Sequence, residues 1–174
     1  DDQGDYWWEL RHCSYYPEFE KEKIINKNIG KNLAFTFDDS GKFVEASCFF
    51  FTGKKLKYFL GNINSSFMKY YIYKFSDKTG AGDIAIKGVF LETFPIPPIT
   101  TSNQPIVTQI ETLVDKILAS HASAGSATDA EFIEASVSHA DTSEWEREID
   151  RLVYKLYDLT EEEIGIVEGK SVAE

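Results

Sequence analysis

The chain has 174 residues, enough for one core or a core with an appendage. Its net charge of −11 argues against a uniformly basic nucleic-acid binder, but that charge is unevenly placed. Residues 101–174 hold five basic and sixteen acidic side chains, which accounts for all of it, whereas residues 1–100 hold thirteen of each sign. Within the first part, residues 21–87 carry twelve Lys against six Asp or Glu, so a basic, aromatic stretch precedes an acidic one. Cys13 and Cys48 make no disulfide framework, and no CxxC or His-x-His pair offers a zinc site. They read as reduced thiols of a cytoplasmic protein. No apolar run approaches the roughly 20 residues of a membrane span. The opening Asp1-Asp2-Gln3-Gly4-Asp5 is no signal peptide, and a start without Met reads as a fragment.

In chain order, Tyr6 to Leu10 is apolar enough for a strand or a packed lead-in. Arg11-His12-Cys13-Ser14-Tyr15-Tyr16-Pro17 is a polar, aromatic loop closed by proline. Lys21–Asn28, Leu33–Phe37 and Phe43–Thr52 read as strands. In the second, Leu33, Phe35 and Phe37 alternate with Ala34 and Thr36, which predicts one buried face. Asp38-Asp39-Ser40-Gly41 is a hairpin signal, because Asp and Ser bond their own backbone and Gly takes φ > 0. Cys48-Phe49-Phe50-Phe51 reads as a strand buried on both faces.

Leu56, Phe59, Leu60, Ile63, Phe67, Tyr70 and Tyr71 follow helical spacing, and Asn64-Ser65-Ser66 marks the cap of a second helix. Lys54, Lys55 and Lys57 crowd the start of the first helix, where the dipole disfavours cations unless an anion is near. Ser76–Asp83, with Gly80-Ala81-Gly82, reads as a mobile loop, and Ile84-Ala85-Ile86 as a short strand. Phe90-Leu91-Glu92-Thr93-Phe94-Pro95-Ile96-Pro97-Pro98-Ile99 should run extended, since each proline fixes φ and removes a donor, with Phe94, Ile96 and Ile99 pinning it to an apolar surface.

Pro105 suits a first helical position, and Ile106, Val107, Ile110, Leu113, Val114, Ile117 and Leu118 make one apolar stripe ending near Ser120. Residues 121–142 read as a flexible connector. Ser143 with Glu146 has capping-box spacing, followed by the stripe Trp145, Ile149, Leu152, Val153 and Leu156. Thr160 with Glu163 repeats that spacing and opens a last short helix. The predicted fold is α+β: a small mixed or antiparallel sheet with one or two packed helices, then a C-terminal antiparallel helical hairpin. The expected division is 1–99 and 100–174.

No chemistry of a complete enzyme is visible. The (Asp/Glu)-x-Lys match Glu168-Gly169-Lys170 lies in the tail without a strand, so it is no nuclease site. Ile96-Pro97-Pro98-Ile99 lacks the polar residue that opens an amino-methyltransferase loop. Gly80-Ala81-Gly82 lacks the third glycine of a dinucleotide fingerprint. Adjacency of His12 and Cys13 does not make a catalytic dyad. The chain reads as a binding module. One alternative is a protein-interaction module working through the helical hairpin, and a weaker one is a small hydrolase using His12 or Cys13.

Several stretches in register carry a resemblance. Trp8-Glu9-Leu10-Arg11, Phe19-Glu20-Lys21-Glu22-Lys23-Ile24-Ile25, Leu60-Gly61-Asn62-Ile63-Asn64-Ser65, and Phe90-Leu91 with Pro95-Ile96-Pro97 resemble the TaqI-like C-terminal specificity domain. The tail Asp141–Asp150, with Leu152-Val153-Tyr154 and Leu159–Ile164, is similar to the ends of the same proteins. These are adenine-specific DNA methyltransferases and type IIG restriction–modification enzymes of phage defence. The resemblance implies sequence-specific recognition of double-stranded DNA. It implies no cofactor in this chain, with S-adenosylmethionine held by an N-terminal methyltransferase domain of the same polypeptide, and no membrane. Side-chain chemistry then makes Arg11, His12, Tyr15 and Tyr16 the base-reading candidates. Lys21, Lys23, Lys27, Lys31, Lys54, Lys55, Lys57, Lys78 and Lys87 become the phosphate candidates.

Overall fold

A computed structural model describes residues 6–7, 15–31, 33–124 and 141–170. Arg11, His12, Cys13, most of the Tyr6–Leu10 stretch and most of the 121–142 connector lie outside the described residues. The architecture is α+β, with seven helices and two three-stranded antiparallel sheets among the described residues.

The first sheet has the order β3-β1-β4, from β1 (Lys23–Lys27), β3 (Thr36–Asp38) and β4 (Cys48–Thr52). Its inner face carries Ile24 between Phe37 and Phe51. Ile24 is fully buried, and both phenylalanines pack against the core. The predicted alternation holds: Leu33, Phe35 and Phe37 turn inward while Ala34 and Thr36 are exposed. The 38–41 turn also forms. Ser40 donates its N–H and its hydroxyl to the Asp38 carboxylate, and Gly41 takes φ 71°.

Two expectations for this sheet fail. The turn joins no hairpin, because β3 and β4 each pair with β1 and not with each other. Strand β4 begins only at Cys48, since Cys48 N–H closes a turn on the Glu45 carbonyl at 3.0 Å. Nor is β4 buried on both faces: all five residues are half-buried, as an edge strand with one neighbour must be.

The second sheet has the order β2-β6-β5, from β2 (Ile29–Gly30), β5 (Asp77–Lys78) and β6 (Ile84–Ala85). Residues 79–83, expected to be a mobile loop, close the β5–β6 hairpin. Thr79 N–H donates to the Asp83 carbonyl at 2.8 Å, Asp83 N–H to the Thr79 hydroxyl at 3.0 Å, and Gly82 takes φ 85°.

Helix α1 is one turn, Tyr16–Phe19. Helices α2 (Leu56–Ile63) and α3 (Ser66–Phe75) are separated by Ser65, whose hydroxyl accepts from Met68 N–H as the predicted N-cap. Asn64 acts as a short strand: its amide oxygen accepts from Phe35 N–H at 3.0 Å and its NH2 donates to the Phe35 carbonyl at 2.8 Å. That pair ties the start of β3 to the end of α2.

The extended segment is shorter than expected: Phe90 and Leu91 belong to a short α4 (Gly88–Leu91), ahead of the first proline. Only the part from Phe94 on is extended, held by Tyr58, which donates its hydroxyl to the Pro97 carbonyl at 2.9 Å. Helix α5 (Gln104–Ala124) runs one turn past the predicted end. Helix α6 (Ser143–Leu156) lacks the predicted capping box. Thr142 is its N-cap, and the Thr142 hydroxyl donates to the Glu146 carboxylate at 2.6 Å. The Thr160/Glu163 capping box does open α7 (Glu161–Val167).

Helices α5 and α6 run antiparallel. Ser143 and Arg147 share a cleft with Ile117 and His121, while Glu148 and Leu152 share another with Thr108 and Thr112. Asp150 of α6 reaches the start of α3, accepting from Ser66 N–H and hydroxyl, both at 2.7 Å. One hydrophobic cluster joins Ile24, Phe35, Leu60 and Ile63 to Val107, Ile110, Val114, Ile149, Leu152 and Val153. The apolar stripes of α5 and α6 are therefore spent on α2 and the sheet.

Candidate DNA interface

The outer face of the first sheet is unlike the inner one. Lys23, Ile25 and Lys27 of β1 point this way, opposite Asp38 and Thr36 on β3 and Thr52, Phe50 and Cys48 on β4. Helix α1 lies on one end of this face. Phe19 stacks on Phe43 at 4.6 Å between ring centroids and on Phe50 at 4.5 Å. Tyr15 meets Phe19 at 5.9 Å, and Tyr16 meets the edge of Phe43 at 6.1 Å. Only Phe19 of this group is buried; Tyr15, Tyr16 and Phe43 are 54%, 49% and 62% exposed. Two exposed rings, Tyr15 and Phe43, packed on buried Phe19, with Tyr16 against Phe43, form an aromatic platform.

The platform is anchored by polar contacts. Thr52 donates its hydroxyl to Glu18 at 2.6 Å, and Lys21 pairs with Glu18 at 2.5 Å. Those two bonds, led by the one from Lys21, hold the Glu18 carboxyl below its ordinary pKa. Beneath them, Lys23 donates to the Phe19 carbonyl at 2.8 Å and forms an ion pair with Asp38. Burial by itself raises the Asp38 pKa, but the bonds from Lys23 and Ser40 outweigh it and the net shift is downward.

The predicted phosphate residues divide. Lys23 is 0% exposed and satisfied internally, so it leaves the phosphate set. Lys55 and Lys57, from the cluster at the α2 start, pair with Glu111 at 3.0 Å and Asp115 at 2.5 Å. The anion that this cluster calls for is thus the protein's own helix α5, and the bond from Asp115 raises the Lys57 pKa. Lys87 pairs with Asp77 at 2.6 Å; Lys78 donates to the Tyr73 carbonyl and lies 4.1 Å over the Tyr73 ring. Lys27, Lys31 and Lys54 are exposed, with no ion pair among the described residues.

Of the base-reading candidates, Tyr15 and Tyr16 sit together on the platform, whereas Arg11 and His12 lie outside the described residues. Sequence reasoning missed Phe43, placing it inside a strand, and missed exposed Lys42 beside it. The signal was Gly41: a chain that leaves a turn with φ 71° need not enter a strand at once. No group of three His, Cys, Asp or Glu among the described residues could hold a metal ion, and none of their helices is long and apolar enough to cross a membrane.

The first part of the chain, with these aromatic rings on one sheet face, matches the class of DNA-binding specificity domains of restriction–modification enzymes. The chain is a member of the TaqI-like C-terminal specificity domain family, whose model matches residues 3–96. That span takes in both sheets, α1 to α4 and the whole platform. No curated protein matches the chain.

Proposed function

We propose that this chain is the target recognition domain of an adenine-specific DNA methyltransferase or type IIG restriction–modification enzyme. It would act in the cytoplasm, beside a methyltransferase domain that binds S-adenosylmethionine. The observation carrying this reading is the overlap of the family match with the platform of Tyr15, Tyr16 and Phe43. In this reading Lys27, Lys31 and Lys42 neutralise phosphates, which sets affinity and register. The aromatic rings then meet thymine methyl groups or an unstacked base. Lys54, also exposed and with no ion pair among the described residues, stands next to the α2 start and is a secondary phosphate contact. The target adenine would be flipped into the methyltransferase domain while this domain grips the duplex. The interaction-module reading lacks support because Ile110, Val114, Ile149 and Leu152 are buried inside the fold.

Two variants test the reading. Lys27→Glu/Lys31→Glu/Lys42→Glu is expected to weaken binding to every duplex and to flatten the salt dependence by about one phosphate per lysine lost. Tyr16→Ala/Phe43→Ala is expected to leave that salt dependence in place and lower discrimination by about 1–3 kcal/mol. Lys55→Glu/Lys57→Glu should disturb DNA binding less, since those side chains face α5. Wild-type binding by the first two variants would remove this face from the interface.

A further inference from the structure

We infer that Lys23, which never reaches the surface, is a positioning residue for sequence reading, because its ammonium fixes the turn that presents Tyr15 and Tyr16. The inference rests on the recognition reading above and adds to it a residue with no DNA contact. A buried ammonium needs partners on every side. Here one partner is the Asp38 carboxylate on β3, and the other is the carbonyl of Phe19, the last residue of α1. The sheet register sets both. Lys23 stands opposite Asp38 on one side and Thr52 on the other, and Thr52 donates to Glu18 of α1. A single cross-strand row, Asp38–Lys23–Thr52, therefore grips α1 at two points, the Phe19 carbonyl and the Glu18 carboxylate.

Packing alone does not require a lysine here. An apolar side chain of similar volume fills such a site at least as well as an ion pair does. It would not hold the Phe19 carbonyl, and the turn would lose its orientation against the sheet. Tyr15 and Tyr16 would then have to be ordered during binding, which lowers affinity for the one sequence that needs them in place. Contacts to phosphate, made elsewhere on the face, would be unaffected.

The test uses the 174-residue chain with Lys23→Met, and with Lys23→Met/Asp38→Asn, which buries no lone charge and carries the test if the single variant unfolds. Binding is measured to the preferred duplex, obtained by selection from random DNA, and to the unselected pool, each over a salt series. The preferred-to-random affinity ratio is expected to fall about tenfold, within the range for one lost base contact, with the salt slope unchanged. A folded variant that keeps both ratio and slope would show that Lys23 only packs. A slope smaller by about one, with the ratio kept, would make Lys23 a phosphate contact after all. Either result overturns the inference. A wild-type chain that prefers no duplex would instead overturn the recognition reading itself, before any variant is compared.

Discussion

Asp38→Asn is expected to destabilise the domain by about 3–5 kcal/mol, because it leaves the Lys23 ammonium buried without a counter-charge. The Lys23 side chain has no exposed area, and the Phe19 carbonyl is the only other acceptor it is bonded to among the described residues. The effect should be lopsided. Lys23→Met costs less, since Asp38 keeps its bonds from Ser40 and is 16% exposed at the rim of the site. The double variant, with neither charge, should be close to the wild type. Urea unfolding of the three variants measures this directly.

A pH series adds a second check. The folded Asp38 pKa lies below its ordinary value of 3.8, so its contribution is present above that value. It is lost as pH falls through the lower, folded pKa. The wild type and Asp38→Asn should therefore differ most near neutral pH and converge below that folded value. Equal stability of the two at pH 7 would mean that the pair carries no net weight.

Gly61→Ala is expected to destabilise by about 1–3 kcal/mol, although Ala is the better helix former by about 0.8–1.0 kcal/mol. Gly61 sits in α2 against side chains of both α5 and α6. A Cβ there would meet Ile110 Cγ2 at 2.5 Å, Val114 Cγ2 at 3.3 Å and Ile149 Cγ2 at 3.7 Å. The first contact is impossible without movement, and Ile110 is fully buried with a stiff, β-branched χ1. Helix α2 would have to move away from α5, straining the Lys55–Glu111 and Lys57–Asp115 pairs that bridge them. Ile110→Leu removes the clashing methyl at nearly constant volume and should recover part of the loss in Gly61→Ala. A stabilising Gly61→Ala would mean that this contact is looser than the distances indicate.

What the sequence made legible was mostly local. The alternation at Leu33, Phe35 and Phe37, the Ser65 cap and the Thr160/Glu163 box each depend on residues a few places apart, and each forms as read. Partner choice was not legible. Nothing near Asp38 says that β1, eleven residues upstream, inserts between β3 and β4, so the hairpin reading failed. Lys23 looked like any surface lysine, because its burial depends on Asp38 and on an α1 carbonyl that only the fold brings near. The Lys54–Lys57 cluster looked like an anion site for the same reason. Its anions, Glu111 and Asp115, come from a helix about fifty residues later. Tyr15 and Tyr16 could be grouped from the sequence because a proline-closed aromatic loop is a local feature, whereas Phe43 joins them through ring contacts with Phe19 and Tyr16 that only the fold makes.

The most direct test of the central claim is binding of the wild-type chain to a random duplex DNA pool. It would be followed by fluorescence anisotropy across a salt series, with the retained pool sequenced. The account predicts affinity that falls linearly in log–log form, by about 0.9 per phosphate neutralised, and enrichment of one motif. Absence of binding at low salt, or binding that enriches no sequence, would contradict it.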